Sequence, residues 1–156
     1  MRELYITFTA TRRFDESSYY LKRVVREAVK ATLDYEDFPY DAEVSVTFCD
    51  NEYIRGLNNE FRGIDRHTDV LSFPMYEDGD FDEIECAGGA VLGDIVISIE
   101  RAKEQAKEIG NTFHHEVAFL TVHSVLHLLG YDHERSPEDE EAQCQRQKAI
   151  IESIDI

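Results

Sequence analysis

The chain is poor in positive charge, in cysteine and in long apolar runs, and each shortage excludes something. Its 156 residues carry 16 Lys and Arg against 33 Asp and Glu, a formal net charge of −17. A field of that sign repels nucleic-acid phosphates overall and keeps a protein soluble, so contact with RNA requires a local basic surface or a partner that supplies cations. Cys49, Cys86 and Cys144 are odd in number and lack C-x-x-C spacing, which argues for reduced thiols in the cytoplasm and against a disulfide framework. No apolar run approaches the roughly 20 residues of a membrane span. The opening "MRELYITFTATRRF" alternates like a strand and lacks the apolar core of a signal peptide. Repeats, low-complexity tracts and dividing linkers are missing too. Residues 1–156, 42% hydrophobic, therefore read as one soluble cytoplasmic domain with enough chain to bury a core.

What is present is a mixture of two periodicities. Leu4, Ile6 and Phe8 alternate in "ELYITFT", as do Val44, Val46 and Phe48 in "EVSVTFC" (43–49), and both predict strands. "TDVLSFP" (68–74) predicts a third, ended by Pro74. The β-branched "VLGDIVISI" (91–99) predicts a fourth, buried one. Leu21, Val24, Val25, Ala28 and Val29 make a helical stripe, with Lys22, Arg26 and Lys30 as a basic ridge on the same helix. Residues 1–34 hold seven basic and five acidic side chains, a net of +2, leaving −19 for the rest. The ridge is thus the best basic surface on offer, although such a ridge also reads as an ordinary solvated face.

Asp50 is placed to cap a helix carrying Ile54, Leu57 and Phe61. Another helix follows at about 100–109, closed by Gly110. The segment 113–129 is apolar nearly all round and predicts a central helix. Ser136 and Pro137 open the last helix. The order βαβαββααα predicts an α+β fold, a small mixed sheet covered by helices. The loop "YEDGDFDEIECAGG" begins like a calcium loop with Asp78, Asp80 and Asp82. Glu83 then replaces the turn glycine and Gly89 the bidentate glutamate, so it reads as a solvated loop.

The chemistry concentrates in "HSVLHLLGYDH" (123–133). Residues four apart share one face of a helix, so His123 and His127 can grip one ion. Gly130 lets the chain leave the helix in a left-handed conformation, and the turn returns His133 as a third ligand. Three neutral imidazoles suit Zn²⁺ best, with Ni²⁺, Cu²⁺ and Fe²⁺ as alternatives. Asp132 is either a turn residue or a group that orients a ligand. The spacing is that of metzincin proteases, but Ser124 stands where their base, a glutamate, would be. Both methionines, Met1 and Met75, precede the site, so no Met-turn follows it. A peptidase is disfavoured.

With "LNNEFRGIDRHTDVLSFP" (57–74), "LGDIVIS" (92–98) and "HSVLHLLGYDH" in that order, the chain resembles the YbeY family of bacterial rRNA maturation factors, described as metal-dependent endoribonucleases. The resemblance covers nearly the whole chain and is strongest over its last two-thirds. It implies a zincin-like metal site at His123, His127 and His133 on the C-terminal helical part, and a functional arginine at Arg62. It also implies single-strand-specific cleavage of precursor rRNA during small-subunit maturation and quality control. The partners it implies are the small ribosomal subunit and its assembly proteins, not DNA or membranes. The family usually has glycine where Ser124 stands. The forked guanidinium of Arg62 suits a phosphodiester, though it also suits a surface ion pair. Thr68 and Asp69 are candidates to line the same cleft, and Asp69 equally suits capping a backbone turn. The alternatives are an assembly factor whose metal is structural, and another metallohydrolase.

Overall fold

The computed structural model describes residues 2–76, 89–131 and 136–154. Two parallel pairings follow from the alternating segments. Strand β1 (Leu4–Ala10) pairs with β2 (Asp41–Cys49), and β2 pairs with β4 (Gly89–Ser98). The short β3 (Val70–Pro74) runs antiparallel to β4, giving the order β1-β2-β4-β3. Among the described residues there are five helices: α1 (Tyr19–Tyr35), α2 (Asn51–Arg62), α3 (Ile99–Ile109), α4 (Phe113–Leu128) and α5 (Pro137–Glu152). The expected α+β order is the observed one.

The helix starts follow the capping residues. The side chains of Asp50, Ser98, Thr112 and Ser136 each accept a backbone N–H three residues on, at Tyr53, Arg101, His115 and Asp139. Ile99, expected to end a strand, is instead the first residue of α3, because Ser98 caps the helix directly from the last strand position. The third strand likewise begins at Val70, since Asp69 accepts the Val70 N–H on its own side chain at 2.7 Å and turns the chain there.

One face of the sheet packs against α1 and α4. Val44, Val46 and Phe48 of β2 and Leu92, Ile95 and Ile97 of β4 meet Leu21, Val25 and Val29 of α1 and Val117, Val125 and Leu128 of α4. Leu92 and Ile95 are three apart yet share this face, because the register slips between Glu43 and Val44 and leaves Leu92 unmatched. Such a bulge resets the pleat. The other face holds a smaller cluster of Cys49, Ile54, Leu71 and Val96, covered by α2. Beyond α1 and α4 lies α5, whose Ile150 packs with Val24, Ala28, Ala118, Val122 and Leu126. Helix α4 is thus enclosed between sheet and helices, which is why its sequence is apolar on every side. Phe61, at helical spacing from Ile54 and Leu57, is 61% exposed and packs edge-on to Phe73.

Candidate metal centre and its surroundings

Helix α4 brings His123 and His127 one turn apart, as their spacing predicts. Their Nε2 atoms lie 3.1 Å from each other, and the rings sit 4.6 Å apart between centroids. Two imidazoles each about 2.0–2.1 Å from a shared tetrahedral ion place their nitrogens about 3.3–3.4 Å apart. The pair fits such a group, and its donors are of the type zinc takes. Among the described residues no cluster of three or more His, Cys, Asp or Glu is assembled. His133 and Asp132 lie outside the described residues, as do Asp78, Asp80, Asp82 and Glu83.

The start of the expected turn is built as the sequence suggests. Gly130 has φ 107°, a conformation that strongly favours glycine. Tyr131 follows, and its side chain is anchored in a way the sequence did not reveal. The Arg146 guanidinium lies 5.1 Å from the centre of its ring, and Arg146 also pairs with Glu36 at 2.6 Å. Burial and a hydrogen bond to Glu36 push the Tyr131 hydroxyl up to about 12. Residues from α5 and from the end of α1 therefore fix the chain just before Asp132.

Two further groups back the histidine pair. Gln143 and Gln147, on α5, are 1% and 3% exposed and face His123: Gln147 Oε1 is 3.0 Å and Gln143 Nε2 3.3 Å from its Nδ1. Their four-residue spacing, continued by Ile150 as a buried stripe, was the signal available in the sequence. Glu116 lies seven residues before His123 on α4 and is almost completely buried. Gln105 donates from one amide nitrogen to Glu116 Oε1 and to Asp69 Oδ2, each at 3.1 Å. Burial, and then the negative charge of Asp69, raise the Glu116 carboxyl above its ordinary value. Ser124 is fully buried, and a serine is small enough for that close packing.

The other expected residues come from separate elements. Arg62 is the exposed last residue of α2, and its Nη1 lies 3.4 Å from Asn58 Oδ1. Asn58 is buried and donates to the Arg66 carbonyl at 2.9 Å, tying down the loop after the helix. Thr68 donates to Asp69 Oδ1 at 3.3 Å, so Asp69 holds the start of β3 as well as Gln105. On the basic ridge, Lys30 pairs with Asp34 at 2.9 Å, Arg26 donates to the Leu4 carbonyl, and Lys22 lies over the Phe8 ring.

These features define an α+β protein with a histidine pair on a central helix, backed by buried amides. Residues 7–155 match the family model described as Endoribonuclease YbeY. The chain belongs to that family. It is 49% identical over 144 residues to the endoribonuclease YbeY of Caldanaerobacter subterraneus subsp. tengcongensis, covering 87% of this chain and 89% of that one. It is 47% identical over 142 residues to that of Acetivibrio thermocellus, covering 85% and 86%. The solution structure of TM1509 from Thermotoga maritima is similar at a TM-score of 0.60 and 31% identity, over 94% of this chain and 87% of that one.

Proposed function

We infer that the chain is a metal-dependent, single-strand-specific endoribonuclease of rRNA maturation. In this reading residues 1–156 act as one cytoplasmic domain on precursor rRNA at the small ribosomal subunit. Membership of the endoribonuclease family supports the activity. The observation that carries the metal dependence is the convergence of His123 and His127 through their Nε2 atoms, 3.1 Å apart. His133 is the proposed third ligand, on the strength of the motif. Among the described residues no helix is long and apolar enough to cross a membrane.

Three neutral imidazoles suit Zn²⁺; when bound, it polarises a phosphoryl oxygen and lowers the pKa of water toward about 7. The protein's own residues divide the remaining work. His123 and His127 present lone pairs from a helix that packing on all sides holds still. Arg62 supplies the forked donor for phosphate oxygens as charge builds in the transition state. Ser124, buried, stands where the protease glutamate would be and cannot replace it as a base, which disfavours the peptidase route. Glu116 is tied to Gln105, and burial biases it toward its neutral form.

The test is cleavage of a single-stranded RNA under single-turnover conditions, with and without chelator. Cleavage should vanish when the metal is stripped and return when Zn²⁺ is restored. Unchanged cleavage by protein shown to be metal-free would overturn the metal dependence. A metal-free chain that unfolds would point to an assembly factor with a structural ion.

A further inference from the structure

We propose that Gln147 is the positioning residue of the metal centre: its buried amide oxygen fixes His123 as the Nδ1–H tautomer, leaving the Nε2 lone pair bare toward the ion. This deepens the metal reading above and rests on it. The argument begins with one contact, His123 Nδ1 to Gln147 Oε1 at 3.0 Å. An amide oxygen only accepts hydrogen bonds, so Nδ1 must carry the hydrogen. A neutral imidazole has a single ring hydrogen, and Nε2 is therefore the bare nitrogen. That atom faces His127 Nε2 at 3.1 Å, in the place where a shared ion would sit. To share an ion through its own Nε2, His127 would likewise carry its ring hydrogen at Nδ1.

Gln143 tests whether the assignment is consistent. Its Nε2 lies 3.3 Å from the same Nδ1, and one Nδ1 cannot both donate to Gln147 and accept from Gln143. The Gln143 Oε1 is buried and, among the described residues, has no hydrogen-bond partner. A half-turn of that amide, which exchanges two atoms of nearly the same size, breaks no bond at the far end. It places a second acceptor on the Nδ1–H. Both glutamines then act in the same sense.

The choice of an amide has a chemical consequence. Histidine ligands are often held by carboxylates, which make the ring more basic but add a negative charge. Gln147 orients the ring and adds none. Because this backing group is neutral, the His123 arm of the site does not offset the charge that a divalent ion would present to an anionic phosphodiester. In a protein of net charge −17 that economy matters for bringing RNA to the ion.

The experiment uses the full chain with Gln147→Leu, which keeps the bulk but has no acceptor, Gln147→Glu, which restores one, and His127→Ala as control. Zn²⁺ affinity is measured by chelator competition, and the His123 tautomer by ¹⁵N chemical shifts of metal-free protein. Wild type should show Nδ1–H at His123. Gln147→Leu should lose that preference and bind Zn²⁺ about 10–100-fold more weakly, and Gln147→Glu should recover most of the affinity. If Gln147→Leu binds Zn²⁺ like wild type while His127→Ala does not, positioning by Gln147 is overturned and the metal reading stands. If His127→Ala also binds like wild type, the metal reading fails. The tautomer measurement is independent of metal and of every variant's folding, and an Nε2–H form in wild type overturns the proposal by itself.

Discussion

Gly93 of β4 lies directly against the carbonyl oxygen of Phe73 on β3, so a β-carbon at this position would overlap that oxygen. The same β-carbon would stand 3.1 Å from Leu128 Cδ2, at the end of the helix that carries His123 and His127. Its φ of 141° is also one that side chains rarely adopt. One glycine thus sets both the closeness of the two strands and the seating of the histidine helix. Gly93→Ala should cost about 2–4 kcal/mol by combined overpacking and backbone strain. Denaturant unfolding checks it, and a loss below about 0.5 kcal/mol would show that the strands separate freely.

The histidine pair predicts stoichiometry and pH dependence. Purified protein should hold close to one divalent transition ion per chain, and His127→Ala should lose most of it. Metal competes with protons for the imidazoles, so retention should fall as pH drops below about 6. Elemental analysis after equilibration at a series of pH values decides the matter. Equal metal in wild type and His127→Ala would exclude the site.

Arg62 separates chemistry from scaffolding. It is the exposed last residue of α2, so removing it should leave metal content and melting temperature unchanged. RNA cleavage by Arg62→Ala should nevertheless fall by roughly 10²-fold or more, the scale for losing one transition-state donor. Arg62→Lys should restore only part, since an ammonium cannot make the forked contact. Full cleavage by a metal-loaded Arg62→Ala protein would assign the residue to the surface.

Glu116 predicts how stability changes with pH. Its native pKa is raised above the ordinary 4.5, so the folded state holds this proton more tightly than the unfolded one. Below about 4.5 both states are protonated and the effect is absent. As pH rises from there through the raised native value, the folded state progressively loses stability. Glu116→Gln keeps the hydrogen-bonding shape and removes the ionisation, so its stability should decline less over this range. Melting curves of metal-free wild type and Glu116→Gln from about pH 4 to 8 give the comparison. Parallel curves would mean that Glu116 ionises in the fold at no cost.

Much of this protein was legible in the sequence because local rules governed it. Asp50, Ser136 and Pro137 marked helix starts that the backbone obeys, since capping needs only neighbours three residues away. The all-round apolar character of 113–129 located the central helix, and the four-residue spacing of His123 and His127 located the pair, because helix geometry alone carries i to i+4. What only the tertiary structure decided involves partners far apart in the chain. Gln147 reaches His123 across 24 residues, Gln105 joins Asp69 to Glu116, and Glu36 meets Arg146 across 110. The bulge at Leu92, and the need for glycine at Gly93, likewise arise from neighbouring strands. Periodicity fixes which way a side chain faces on its own element; what stands opposite depends on how the elements pack, and that is set by the shape of the whole core.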